Sequence, residues 1–257
     1  MIVSFINLKG GVGKTTSCIV IATAAVVLDA DPQGSATFWA DNAEDNGREL
    51  PFEVDAANPA TIKRAARKFK GNPNRWAFID CPPNGSILDA AQEASDFVIV
   101  PTGTGNADLV KTAETVKTME ANGKPYAVLL TRVLTNTNGF KAAQENLAAG
   151  GISYFDASIR QKEDLKGYFG LPFGSSLYGY DDVYSELKPA KKRLMDNQDT
   201  AHKGDTGVEE RKMITFFVSA KKHAALKAYC KQEGRTMTAV MQNAVDELLK
   251  EAENEDR

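Results

Sequence analysis

Eight consecutive residues, Lys9-Gly10-Gly11-Val12-Gly13-Lys14-Thr15-Thr16, bring together two ammonium groups, three glycines and two hydroxyls. Before them runs the apolar stretch Ile2-Val3-Ser4-Phe5-Ile6, which reads as a buried strand. After them Ser17-Cys18-Ile19-Val20-Ile21-Ala22 reads as the start of a helix. A glycine-rich turn between a strand and a helix N-terminus is a phosphate cradle, because backbone N–H groups and the helix dipole both favour an anion there. Glycines let the backbone come close without a Cβ in the way. Lys14 can reach β- and γ-phosphates, and the Thr15 hydroxyl can ligate Mg²⁺.

Carboxylates stand at the ends of later apolar runs. Ala25-Val26-Val27-Leu28-Asp29-Ala30-Asp31-Pro32-Gln33-Gly34 is an apolar strand ending in two acids and a turn. Trp76-Ala77-Phe78-Ile79-Asp80-Cys81-Pro82-Pro83 ends in one. In parallel sheets the carboxyl ends of the strands form the crevice where ligands bind. Mg²⁺ keeps several of its waters, so the single carboxylate of Asp80, acting through water, suffices to place it.

The glycine loop departs from the common phosphate-binding pattern. The position five residues before Gly13 is Leu8, and a lysine, Lys9, stands inside the loop. This deviant Walker A form resembles the ParA/MinD superfamily of P-loop ATPases, whose loop reads KGGxGKTT. The segment around Asp31 resembles the DxDPQG signature of that family, and Asp96-Phe97-Val98-Ile99-Val100-Pro101-Thr102 resembles its DxVIVPT strand. The resemblance implies that Gly10 to Thr16 hold ATP or ADP with Mg²⁺. It implies that Lys9 reaches the nucleotide of a facing subunit in a homodimer, and that Asp31 orients the attacking water with Asp29 as a supporting acid. Leu129-Leu130-Thr131-Arg132-Val133 resembles the strand whose end lies near the adenine, which makes Arg132 a nucleotide-binding candidate.

Composition narrows the classes. The 257 residues are 42% hydrophobic and 25% charged, with formal charge −3. Such a chain suits a cytoplasmic enzyme of one large and one small domain. Cys18, Cys81 and Cys230 are too far apart for a zinc site or a disulfide framework. No apolar run is long enough to span a membrane.

Strands and helices alternate to about residue 195, which predicts an α/β domain with a mainly parallel sheet and helices on both faces. Strands are expected near 52–54, 126–130 and 152–155, and helices over 59–69, 106–121, 138–149 and 181–197. Between Thr16 and Asp29 no Gly, Pro, Asn or Asp makes a return turn. A helix, turn and strand need more chain than this, so residues are expected to be missing between Ala22 and Ala25.

The ATPase domain is assigned to 1–196 and a polar linker to 197–210. Residues 211–257 form a separate module. Lys212-Met213-Ile214-Thr215-Phe216-Phe217-Val218 alternates as a strand, Ser219 caps a helix to about Gln232, and Thr236 or Thr238 caps a second. Strand, helix and helix at this length resemble the ribbon-helix-helix fold, which dimerises and sets its strands in the DNA major groove. Lys212, Met213, Thr215, Phe217, Thr236 and Thr238 are the DNA-contact candidates there, and Lys191, Lys192 and Arg193 form a second basic cluster before the linker. Phe217 and Met213 suit thymine methyls or a protein partner equally. The last helix has an acidic polar face, which anionic lipid repels, so no membrane anchor is expected.

Together these features predict a DNA partition ATPase acting with a centromere-binding partner. Two alternatives stay open: a DNA-binding transcriptional regulator whose ATPase domain only gates dimerisation, and a tyrosine-kinase-like member indicated by Tyr178, Tyr180 and Tyr184.

Overall fold

The computed structural model describes residues 1–22, 25–69, 75–172 and 177–189, with seven helical positions between 225 and 244. Six strands form one parallel sheet: β1 (Ile2–Phe5), β2 (Val26–Asp29), β3 (Val54–Ala56), β4 (Ala77–Asp80), β5 (Phe97–Thr102) and β6 (Tyr126–Leu130). Their spatial order is β3-β2-β4-β1-β5-β6. Every residue of β1, β4 and β5 is buried, as strands covered on both faces require.

Helices α1 (Lys14–Ile21), α2 (Ser35–Asp45), α3 (Pro59–Phe69), α4 (Ser86–Ala94), α5 (Asn106–Ala121), α6 (Asn138–Ala149) and α7 (Glu163–Gly167) alternate with the strands, and residues 180–189 are helical too. The connections through α1 and α2 run toward the β3 edge, and those through α3, α4 and α5 run the other way. With right-handed crossovers these two groups lie on opposite faces. Side chains divide accordingly. Ile2, Ile79, Val98, Val100 and Val128 pack with Ile62, Leu88, Val116 and Leu147 of α3 to α6. On the other face Phe5 meets Phe78, and Trp76 bridges Phe78 to Tyr184 of the 180–189 helix.

The connections leaving the adjacent parallel strands β1 and β4 run in opposite directions across the sheet, which places a crevice at their carboxyl ends. Register sets Asp80 opposite Phe5 on one side and opposite Asp29 on the other. The glycine loop leaves β1 at the same level.

Local chemistry explains several boundaries. Pro59 opens α3, and Asn58 Oδ1 accepts the N–H groups of Ala60 and Thr61 at 2.9 and 3.0 Å. Thr137 caps α6 by accepting from the Phe140 N–H at 3.3 Å.

Two expectations change. The strand expected at 152–155 is reduced to a single parallel bridge between Val128 and Tyr154, because only Ser153 and Phe155 bond to the β6 edge. The strand expected at 52–54 begins at Val54, where pairing with Val27 starts. Where residues are expected to be missing, α1 stops after 8 residues, and the Ala25 N–H donates to the Ala22 carbonyl at 3.1 Å. Residues 23 and 24 themselves lie outside the described set, as does the helix expected beyond 189.

The chain divides into two compact units, Met1–Thr215 and Phe216–Arg257. In the second, positions 225, 226, 229, 232, 240, 241 and 244 are helical. The candidates Lys191, Lys192, Arg193, Lys212, Met213, Thr215, Phe217, Thr236 and Thr238 lie outside the described residues.

Candidate nucleotide site

The loop after β1 wraps the N-terminus of α1. Gly11 and Gly13 take φ of 73° and 89°, in the left-handed region, which turns the chain sharply enough to begin α1 at Lys14. Gly13 offers no capping side chain, so the first amides of α1 keep their unfilled donors aimed into the turn.

Lys14 is 7% exposed, and its Nζ donates to the carbonyls of Lys9 at 3.0 Å and Asn7 at 3.3 Å. Burial lowers its pKa, against the attraction of Asp80 and Asp31. Thr15 Oγ1 donates to Asp80 Oδ2 at 2.6 Å. Asp80 is 1% exposed, and its other oxygen, Oδ1, has no hydrogen-bond partner among the described residues. Burial pushes the Asp80 carboxyl up to about 7, helped by repulsion from Asp29 and opposed by the Thr15 bond. A buried carboxylate with a free oxygen, one hydroxyl beside it and an ammonium near it is a donor set for a hard divalent cation next to phosphate. Thr15 and Asp80 therefore fit Mg²⁺, and the amides of residues 11 to 16 with Lys14 fit polyphosphate.

The remaining sequence candidates divide. Asp29 is buried and already occupied: Oδ2 accepts from the Ala36 N–H, the Thr37 N–H and the Thr37 hydroxyl at 2.8–3.0 Å, and Oδ1 from the Asp31 N–H at 3.2 Å. It fastens the first turn of α2. Asp31 stands half-buried in the turn beyond, its Oδ1 accepting from the Gln33 N–H at 3.0 Å. It lies close enough to act electrostatically on both Lys14 and Asp80. The Lys9 ammonium pairs with Asp108 on α5. Arg132 is exposed, at φ 52°, just past β6. Tyr180 is buried, its hydroxyl 3.0 Å from Ser17 Oγ on α1, which makes it a packing residue.

Of the residues that brace the loop, Thr102 and Thr131 stand inside the quoted strand motifs, but none was singled out by the sequence as a site residue. Asn7 is fully buried. Its Nδ2 donates to the Pro101 carbonyl and to Thr112 Oγ1, and its Oδ1 accepts from the Lys9 N–H. Thr112 Oγ1 lies 2.7 Å from Thr102 Oγ1, the Thr102 carbonyl accepts from the Thr131 N–H, and Thr131 Oγ1 donates to the Val12 carbonyl at 2.8 Å. Both ends of the loop are thus tied into one buried polar network. A polar residue in an otherwise apolar strand end was the available signal.

A parallel sheet with a glycine loop and acid at its switch point defines a P-loop nucleotide-binding domain. Residues 3–169 match the model of the CobQ/CobB/MinD/ParA nucleotide binding domain, CbiA, and the chain belongs to that family. Among relatives, the maintenance of carboxysome distribution protein A of Gloeobacter kilaueensis is 34% identical over 169 residues, 62% of this chain and 76% of the relative. The sporulation initiation inhibitor protein Soj of Bacillus subtilis is 27% identical over 197 residues, 56% of this chain and 78% of the relative. A Borrelia burgdorferi plasmid partition protein bound to AMPPNP shares the fold at TM-score 0.60 and 17% identity, over 74% of this chain and 98% of that one. The Pyrococcus horikoshii septum site-determining protein MinD with Mg-ADP does so at TM-score 0.58 and 16% identity, over 75% and 98%.

Proposed function

We propose that this chain is a Mg-ATP-dependent partition ATPase that distributes a DNA cargo. The observation that carries the reading is Asp80: a buried acid with one orphaned oxygen, bonded to Thr15 at the mouth of an open phosphate loop. Nucleotide-bound solved structures of the same fold support ATP or ADP with Mg²⁺ as the ligand. Bound Mg²⁺ supplies a positive charge against the terminal phosphates. Lys14 leaves its two carbonyl partners to pair with phosphate oxygen, Thr15 and Asp80 orient the ion's water shell, and Asp31 places the attacking water. Lys9 crosses to the nucleotide of a second copy, so that two chains close over two nucleotides.

Segment 211–257 then serves as a ribbon-helix-helix module that dimerises and contacts DNA through Lys212, Met213, Thr215 and Phe217, with Lys191, Lys192 and Arg193 as a nonspecific DNA surface. A DNA-binding partner accelerates hydrolysis. Mg-dependent ATP turnover by the full chain, and its loss in Lys14→Ala, tests the core of this reading. Turnover that survives Lys14→Ala overturns it. Nucleotide binding without any turnover leaves the gated transcriptional regulator instead.

A further inference from the structure

We propose that Asp108 is a counter-ion held in the same chain that captures Lys9 and must release it before two copies can close over nucleotide. This rests on the assignment of Lys9 to a facing subunit. Asp108 lies in the first turn of α5, and its Oδ1 pairs with Lys9 Nζ. The side chains of Lys9 and Asp108 are 36% and 17% exposed, so the pair sits where solvent reaches it.

The pocket for this carboxylate is shaped by a glycine. A Cβ at Gly103 would overlap Asp108 Oδ2, and the overlapping atom is the end of a movable side chain. Any larger residue at 103 displaces the carboxylate from its seat. The φ of Gly103 lies outside the left-handed region, so its lack of a side chain serves space and not backbone geometry.

The geometry also lets the pair open. The Lys9 backbone is anchored apart from the ion pair, its N–H donating to Asn7 Oδ1 at 2.9 Å, a bond that involves neither Asp108 nor Lys14. The lysine side chain can therefore swing while the loop stays in place. Asp108 keeps a second source of stabilisation when Lys9 departs, because Gly105 gives α5 no side-chain cap and the helix N-terminus favours a negative charge in its first turn. A triphosphate carries several negative charges against one on the carboxylate, so it outcompetes Asp108 for the ammonium once a second chain presents it. Asp108 thus sets a threshold: with the carboxylate absent, Lys9 is free and pairing begins at lower nucleotide.

Sedimentation of the full chain against rising concentrations of a non-hydrolysable ATP analogue with Mg²⁺ tests this. Asp108→Asn and Gly103→Ala should each lower the analogue concentration at half-maximal shift by about two- to fivefold, the range of a partly exposed ion pair. Gly103→Ala leaves the charge in the chain and moves only its position, and a melting curve verifies its fold. A midpoint unchanged or raised in Asp108→Asn overturns the threshold role. An unaltered shift in Lys9→Ala instead overturns the cross-subunit role of Lys9 on which it rests.

Discussion

Asp29 and Asp80 end adjacent strands and face each other in register, yet they stand in opposite states. Asp29 accepts four hydrogen bonds, three of them from the first turn of α2. Asp80 accepts one and leaves an oxygen bare, buried to 1% exposure. The difference lies in the path of the chain beyond each strand. After β2 it turns through Pro32-Gln33-Gly34 so that α2 starts directly above the acid. After β4 it moves off through Pro82 and Pro83, and α4 starts only at Ser86; the side-chain hydrogen bond to Asp80 comes from Thr15 on α1 instead. One aspartate fastens the scaffold, and the other keeps an oxygen uncommitted among the described residues.

Removing each acid sharpens the contrast. Asp80→Asn should lower Mg-dependent ATP turnover by about 100-fold or more, since a buried ligand contact to the ion's shell is lost. The same variant should flatten the pH dependence of stability. In the folded protein Asp80 keeps its proton up to about 7, whereas an unfolded aspartate loses it near 3.9, so in this window the folded state binds the extra proton. Unfolding free energy of the ligand-free protein therefore falls as pH rises through the window, by about 4 kcal/mol in all, and levels off above it. Denaturant titrations at pH 5 and 8 span about 3 kcal/mol of that drop in the wild type, and Asp80→Asn removes it.

Asp29→Ala should act in the opposite sense. It strips the partners from buried amides of α2 and should cost about 3 kcal/mol of stability in a denaturant titration. If Asp29→Ala instead leaves stability intact and abolishes turnover, the two acids have exchanged roles. Thr131→Val breaks the smaller link between β6 and the Val12 carbonyl. It should raise KM for ATP about threefold to tenfold and lower stability by about 1 kcal/mol, which steady-state kinetics and urea denaturation separate.

Much of this arrangement was legible in the chain itself, and the portion that was not has a common physical cause. The bounds of α3, α5, α6 and β6 are set by proline, small polar residues and apolar spacing. The glycine loop and Asp80 are marked by residue type at a strand end. α2 and α4 were not foreseen: each starts after a glycine with no capping side chain, as α5 does, and neither has the 16-residue length that marks α5. Nor were Asn7, Thr112 and Asp108, or the pairings made by Thr102 and Thr131 from within their strand motifs. Their partners lie up to 119 residues away in sequence, as between Thr131 and Val12, and no short-range pattern carries such a pairing. The true occupation of Asp29 was hidden for the same reason: a carboxylate at a strand end looks identical whether a helix or an ion will claim it.

The belt of hydrogen bonds through Asn7, Thr112, Thr102, Thr131 and Val12 has one more effect. It fixes the curvature of the glycine turn while the protein folds, so the disorder of a free loop is already gone when an anion arrives. Association then begins from a finished mould and loses little to ordering. The same stiffness denies the turn any means of reshaping itself around a misfit, and selectivity at this end of the sheet becomes a matter of template and not of adjustment.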